Sequence, residues 1–249
     1  MKKLSVVIPI YNEAATITLI LQKIGALDLP VVKEVIAVND GSTDDTQEVL
    51  ERHRNLVDQL VVIPKNRGKG WAVRMGLGRA TGDYAIIQDA DLELDPGEYS
   101  ALLAPLLKGK AQVVYGSRFL KASRSIPWQI RVANRVLTFL TNLLYRSRLT
   151  DMETAYKLFD RSIFERIKLD STGFDFEPEI TAKLLRLGYR IHEVPVSYLP
   201  RSRASGKKIG WKDGIEAVET LIRCRFSPRG LFSVSGDIER VRPCAVSQE

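Results

Sequence analysis

Short apolar runs recur along the first half of the chain, too short for helices and too continuous for a sheet with one wet face. They are LSVVIPI (4–10), EVIAV (34–38), QLVVI (59–63), YAIIQ (84–88) and AQVVYGS (111–117). Strands that are apolar on both faces are buried on both faces, the signature of a parallel sheet covered by helices. The stretches between the runs supply those helices. In 13–27, Ile17, Ile20, Leu21 and Ile24 recur at helical spacing, and 44–53, 69–80 and 97–107 also read as helices, the last despite Pro105. The alternation predicts an α/β fold, a mostly parallel Rossmann-like sheet sandwiched by helices. Ligands of such sheets bind beyond the carboxyl ends of the strands, so the residues that follow each strand are the site candidates.

The second half is built differently. Residues 127–148 read as one long helix with two stripes. Trp128, Val132, Val136, Phe139, Leu140, Leu143 and Leu144 form the apolar one, and Arg131, Arg135, Thr138, Asn142 and Arg146 the polar one. Such a helix either packs in the core with one wet face, forms a dimer interface, or lies at a membrane surface with its arginines among headgroups. A helix (177–187), a strand (190–194), a Gly/Lys-rich loop (201–210) and a last helix (212–224) follow. Linker composition and internal repeats are absent. The expectation is one domain over 1–226, with an N-terminal half to 117, a helical C-terminal half over 118–226, and a flexible tail over 227–249.

Charge narrows the partners. The net charge is +7, yet the stretch from Tyr99 to Thr150 alone carries nine Lys/Arg and no Asp/Glu. A concentrated basic surface favours an anionic partner: nucleic acid, phosphate or an anionic membrane. Nucleic acid is disfavoured, because base-reading motifs with interleaved aromatics are missing. The longest uncharged run, Val136 to Tyr145, is ten residues, half of what a membrane-spanning helix needs. Met1-Lys2-Lys3 is not followed by a cleavable apolar segment, so no signal peptide is expected. Two cysteines, Cys224 and Cys244, support neither a disulfide scaffold nor, with two histidines, a zinc site. A cytoplasmic protein is expected, without a transmembrane segment.

After the first strand come Pro9, Tyr11, Asn12 and Glu13. A proline near a strand end stops the ladder. Tyr11 has a ring on which a base can stack, and Glu13 an acceptor for a base edge or ribose, while Asn12 equally reads as a helix cap. After the second strand, Asp40 stands where an acid meets a ribose hydroxyl or base, and the same stretch also reads as a tight turn with Ser42 or Thr43 capping a helix. After the fourth strand comes Asp89-Ala90-Asp91, with Glu93 beyond. Three acids at one strand end repel one another, so a cation is expected, and hard oxygen ligands suit Mg²⁺ or Mn²⁺ carrying phosphates. Neither Gly-x-Gly-x-x-Gly after the first strand nor a Gly-Lys-Ser/Thr loop is present, which argues against dinucleotide-binding dehydrogenases and P-loop enzymes.

In order and spacing, SVVIPIYNE, VNDGSTDDT, NRGKGWAVRMGL, ATGDYAIIQDADLE and VVYGSRF resemble the family 2 glycosyltransferases of GT-A fold. LTDMETAYKLF (149–159), residues 173–198 and RSRASGKKIGWKDG (201–214) are similar to the later blocks of the dolichyl-phosphate mannose synthase type. The resemblance implies a nucleotide pocket formed by Pro9, Tyr11, Glu13, Val38, Asp40, Asp89, Ala90 and Asp91. It implies a metal held by Asp89, Asp91 and Glu93, where Glu93 departs from the glutamine common in mannosyl relatives. Arg118 and Arg131 match residues that hold an acceptor phosphate, and Arg201, Arg203 and Lys207 a basic lid over the donor. Residues 1–117 then form the nucleotide-sugar half and 118–226 the acceptor half.

The implied reaction is metal-dependent, inverting transfer of a mannose- or glucose-type sugar from a GDP- or UDP-sugar to a polyprenyl or dolichyl phosphate. The catalytic set is Asp89, Asp91 and Arg118. The enzyme is expected to sit peripherally at the cytoplasmic face of the membrane, alone or with a membrane protein partner. A phosphate acceptor is already anionic and needs positioning rather than a base, which arginines provide. A saccharide acceptor, as in polysaccharide or cell-wall assembly, is the alternative; its hydroxyl needs a carboxylate base, for which Asp151 and Glu153 are candidates. A sensor that binds nucleotide sugars without transfer is disfavoured by the intact Asp89/Asp91 pair.

Overall fold

A computed structural model describes residues 1–121, 126–201 and 211–228. Its centre is a seven-stranded sheet of order β3-β2-β1-β4-β6-β5-β7. The strands are β1 (Lys3–Ile10), β2 (Val32–Asp40), β3 (Gln59–Ile63), β4 (Tyr84–Ile87), β5 (Val113–Ser117), β6 (Lys157–Asp160) and β7 (Ile191–Pro195). Every pairing is parallel except those of β6, which runs against both β4 and β5. The predicted sheet is therefore present, with one reversed strand that the apolar runs did not announce. Because β7 pairs with β5, the two halves of the chain share this sheet.

Side chains alternate across a strand, and the two faces feed separate cores. Leu4, Val6, Ile8 and Ile10 of β1 pack beneath α1 (Ile17–Ala26) and α4 (Tyr99–Leu107). Val7 faces the other way, with Val38 of β2, against α3 (Lys69–Leu77) and α7 (Phe176–Arg186). Each such apolar side chain, fully removed from water, contributes roughly 1.5–3 kcal/mol. Gly76 sets how close α3 comes: a Cβ there would meet Val7 Cγ1 at 2.3 Å.

Two local expectations are corrected. Pro9 does not end β1, which runs on to Ile10 paired with Asn39. On the other side β4 has already stopped at the Val7–Ile87 pair, so an imide nitrogen costs that edge nothing. The first helix begins at Ile17, not residue 13, and residues 13–16 form a loop.

The remaining helices are α2 (Thr46–Arg52), α5 (Trp128–Tyr145), α6 (Arg161–Phe164) and α8 (Trp211–Phe226). α5, α7 and α8 share a small core around Leu137, Met152, Ala182, Ala217, Leu221 and Cys224. α5 is inverted relative to a core helix with one wet face. Asn134, Leu137, Thr138 and Thr141 are its buried residues, while Trp128, Val132, Val136, Phe139 and Leu143 are exposed, Trp128 at 70% and Phe139 at 69%. Leu140 and Leu144 pack only partly against the small core. Among the described residues no helix is long and apolar enough to cross a membrane. Most of the predicted tail, Cys244 and most of the predicted basic loop lie outside the described residues.

Candidate active site

The carboxyl ends of β1, β4 and β5 and the near faces of α5 and α8 enclose one cavity of about 750 Å³. This is within the usual range for a ligand pocket. Of the candidates drawn from the sequence, Pro9, Tyr11, Glu13, Asp40, Asp89, Ala90, Asp91, Glu93, Arg118 and Arg201 line it. Two do not. Val38 is fully buried in the core beneath α3. Arg131 lies off the cavity-facing side of α5, which presents Ile130, Ala133, Asn134 and Leu137; its Nη2 donates to the Ile126 carbonyl at 3.4 Å. Arg203 and Lys207 lie outside the described residues.

The loops after β1 and β2 are stitched to each other. Asn12 takes a left-handed conformation with φ of 56° and accepts the Thr43 amide at 2.8 Å, while its own amide donates to Ser42 Oγ at 3.0 Å. So Asn12 does not cap α1, and Ser42 and Thr43 do not cap α2; the Thr46 amide donates instead to Asp44 Oδ1 at 3.1 Å. Glu13 receives Thr16 Oγ1 at 2.7 Å and the guanidinium of Arg201. Asp40 accepts the backbone amides of Arg67 at 2.9 Å and Gly68 at 2.8 Å, which fixes the loop opposite. Burial raises its pKa, against the pull of those two amides.

The acids after β4 do not converge. Lys69 Nζ lies 2.8 Å from Asp89 Oδ1 and 2.7 Å from Glu177 Oε1. Burial penalises the Lys69 ammonium, but the two carboxylates outweigh it and raise its pKa. Glu93, though it lines the cavity, is engaged, accepting Tyr198 Oη at 2.7 Å and the Arg201 amide at 3.0 Å. These contacts anchor the 198–201 segment, and among the described residues no group of three or more His, Cys, Asp or Glu forms a ready metal cluster. Asp91 is the exception. Its Oδ1 receives the Glu93 amide at 3.1 Å, and Arg201 Nε donates to its backbone carbonyl rather than its carboxylate. Burial, then the charges of Asp89 and Glu93, push its pKa up to about 7. A half-buried carboxylate made reluctant to ionise by neighbouring acids is a fit for a divalent cation, whose charge would reverse that shift.

Across the cavity, Arg118 forms a two-pronged pair with Asp151, Nε to Oδ2 at 2.7 Å and Nη2 to Oδ1 at 2.8 Å. Asn134 of α5 donates to the same carboxylate at 2.6 Å. Burial opposes the charge on Asp151, yet Arg118 holds its pKa below the ordinary value. With its lone pairs filled and its proton affinity low, Asp151 is unsuited to be a base; it orients Arg118 towards the cavity. Glu153, two residues on, also lines the cavity.

Several participants lay outside the sequence reading. Lys69 and Glu177 bridge the floor. Gln88 accepts the hydroxyls of Tyr99 and Tyr156, each at 2.8 Å, and donates to the Asp89 carbonyl at 2.9 Å, fixing the turn that carries the acids. Buried Lys157 donates to the Met152 carbonyl at 3.2 Å, and burial lowers its pKa to about 8. The arrangement offers an acidic floor for a cation and diphosphate, and an oriented arginine opposite for a second anion.

Comparison with known proteins places the chain among glycosyltransferases. The family model described as "Glycosyl transferase family 2" matches residues 5–168. A low-salt glycan biosynthesis hexosyltransferase, Agl6 of Haloferax volcanii, is 29% identical over 94% of this chain and 56% of its own length. The glycosyltransferase AglD of the same organism is 30% identical over 80% of this chain and 33% of its own. The chain thus spans between a third and somewhat over half the length of these relatives. Among solved structures, glucosyl-3-phosphoglycerate synthase from Mycobacterium tuberculosis, in complex with Mn²⁺, UDP and glucosyl-3-phosphoglycerate, superposes with a TM-score of 0.70 at 23% identity, over 91% of this chain and 81% of that one. The Mg²⁺ and UDP complex of that synthase gives 0.66 at 22% identity, over 91% and 80%. The expected GT-A-type fold is the one observed.

Proposed function

The chain belongs to glycosyltransferase family 2, and from that premise we propose that it transfers a mannose- or glucose-type hexose, with inversion, from a UDP- or GDP-sugar to a polyprenyl phosphate at a membrane surface. The observation that carries the acceptor assignment is α5. One side of this helix lines the cavity beside Arg118, and the other presents Trp128, Val132, Val136, Phe139 and Leu143 to the outside. An aqueous sugar acceptor gives no reason for that outward face; a lipid-linked phosphate delivered from a bilayer does. Exposed Arg135, Arg146 and Arg148 lie on or just beyond the same helix, where anionic headgroups of a cytoplasmic leaflet would meet them.

The chemistry follows from the two ends of the cavity. Asp91, with Asp89 beside it, would hold Mg²⁺ or Mn²⁺, which when bound neutralises charge on the departing diphosphate. The complexes of the mycobacterial synthase with Mn²⁺ or Mg²⁺ and UDP support this donor side. Asp40 and Asn12 keep the rim loops in place. Arg118, held by Asp151, positions the acceptor phosphate, which is its own nucleophile and attacks the anomeric carbon from the face opposite the diphosphate. Tyr198 and Arg201, anchored on Glu93, cover the donor from the side and limit water. The hexosyltransferase named among the relatives supports a hexose donor.

The test is incubation of the protein with Mn²⁺ or Mg²⁺, a polyprenyl phosphate and labelled UDP- and GDP-sugars, followed by partition into organic solvent. Label in the organic phase, absent with EDTA, supports the assignment. Label transferred only to an aqueous saccharide overturns the acceptor.

A further inference from the structure

Glu153 is the group in the cavity wall that the proposed chemistry leaves without a task. Its Oε1 is sealed from solvent and has no hydrogen-bond partner. Buried polar atoms are nearly always partnered, so an orphan acceptor on a cavity wall marks a donor that the ligand brings. The protein's nearby donors are engaged elsewhere. Arg118 and Asn134 are given to Asp151, Thr154 Oγ1 donates to the Gly116 carbonyl at 2.6 Å, and Lys157 Nζ donates to the carbonyls of Met152 and Thr154. Lys69 is divided between Asp89 and Glu177.

The position of Glu153 narrows what that donor is. In sequence it follows Asp151, the anchor of the acceptor arginine. In space it feels the charge of Glu177, which leads through Lys69 to Asp89 at the diphosphate end. It lines the same cavity as Arg118 at one anion-holding end and as Lys69 and Asp89 at the other, and so borders the interval between them. The ligand part that occupies this interval in a transfer reaction is the sugar ring. Diphosphate and phosphomonoester bring acceptors there; the sugar brings hydroxyl donors. Burial, then the nearby Glu177 charge, push the Glu153 carboxyl up to about 7, consistent with a pocket short of donors until a ligand arrives.

We infer that Glu153 accepts a hydroxyl of the sugar being transferred and so helps select which hexose reacts. This rests on the glycosyl-transfer reading above and names its specificity residue. It also differs from a general base, the role a hydroxyl acceptor would require, because a hydrogen-bond acceptor survives replacement by an amide oxygen and a proton acceptor does not.

The experiment compares wild type, Glu153→Gln and Glu153→Ala, each checked for unchanged thermal melting. The first readout is calorimetric binding, with Mn²⁺, of UDP-glucose against UDP and of GDP-mannose against GDP, using the pair that binds wild type. It needs neither acceptor nor turnover, so it reads Glu153 even where no transfer is seen. Glu153→Ala is expected to weaken the sugar nucleotide about tenfold and the bare nucleotide less than twofold, with Glu153→Gln near wild type. Equal weakening of both ligands, or of neither, overturns the inference. The second readout is transfer. Glu153→Ala should lose about 100-fold in kcat/KM, Glu153→Gln less than tenfold, and a donor deoxygenated at the hydroxyl read by Glu153 should make wild type and Glu153→Ala equal. Loss in Glu153→Gln as deep as in Glu153→Ala assigns a base and overturns it. A wild type that binds the sugar nucleotide through Glu153 but labels no lipid overturns the acceptor reading and leaves this inference standing.

Discussion

The two walls of the cavity solve opposite problems. On the strand side, buried or half-buried carboxylates are surrounded by protein partners: Asp40 by two amides, Asp89 by Lys69, Glu93 by Tyr198 and Arg201. On the α5 side, polar residues are turned inwards and apolar ones outwards. Asn134 serves Asp151, and Thr138 Oγ1 accepts the Met152 amide at 3.1 Å, while Phe139 and Leu143 face outside. The strand side completes its interactions within the chain. The helical side leaves its apolar half uncovered among the described residues.

Breaking the strand side should give the largest effect. Asp91→Ala removes the carboxylate best suited to a cation, and transfer into organic solvent is expected to fall by about 10³-fold or more, with melting temperature held or raised because a half-buried acid crowded by Asp89 and Glu93 is gone. Arg118→Ala strands Asp151 in the interior. We expect about 3–5 kcal/mol lost in urea unfolding. Arg118→Met combined with Asp151→Leu should regain most of that stability and none of the transfer, which separates holding the fold from holding the acceptor.

Acid sharpens the contrast at the far end of the sheet. Glu34 is buried, receives Ser5, Thr81 and Lys3, and has its pKa lowered from 4.5 to about 2, those contacts outweighing the cost of burial. Its folded value lies below its unfolded one, so its contribution is present above pH 4.5 and is lost as pH falls from there towards 2. It is on the order of 3 kcal/mol. Unfolding of Glu34→Gln followed by urea should be correspondingly flatter across that window.

Smaller effects belong to α5. Thr138→Val leaves the Met152 amide unpaired and should cost about 1–3 kcal/mol, whereas Val136→Thr on the outward face should cost less than about 0.5 kcal/mol. Trp128→Ser with Phe139→Ser should leave melting unchanged and weaken sedimentation with anionic vesicles about tenfold or more. Unchanged vesicle binding would assign that face to a protein partner.

The strand side was legible in the sequence because burial on both faces writes itself as uninterrupted apolar runs, and the residues after those runs are the site candidates. Glu177 was not legible as a site residue, since an acid in the first turn of a helix reads as an ordinary partner for the helix dipole. Lys69 lies between two glycines, where no periodicity marks a buried cation. β6 was missed because KLFD is four residues long and begins with a lysine, whose burial depends on Met152 and Thr154 carbonyls brought in by the fold. The stripes of α5 were legible, but which one faces protein was not: that depends on Asp151, whose need for Asn134 is a tertiary fact.

The reversal of β6 has a consequence for how such a site can vary. Lys157 at the start of β6 pairs with Tyr115 near the end of β5, so the segment leading into β6 lies at the same rim as the segments leading out of β1, β4 and β5. Glu153 reaches the cavity, and Asp151 the arginine that lines it, from the upstream side of a strand, the acids of 89–93 from the downstream side of another. Residues arriving by these two routes belong to separate loops, one anchored by the Thr150 and Asp151 amides on Glu193 and the other by Gln88, which also receives the Tyr156 hydroxyl of the first. Substitutions away from the shared Gln88 can therefore accumulate in one loop while the other stays fixed, and the sheet gives a lineage two dials, one for the activated leaving group and one for what is passed on and to whom.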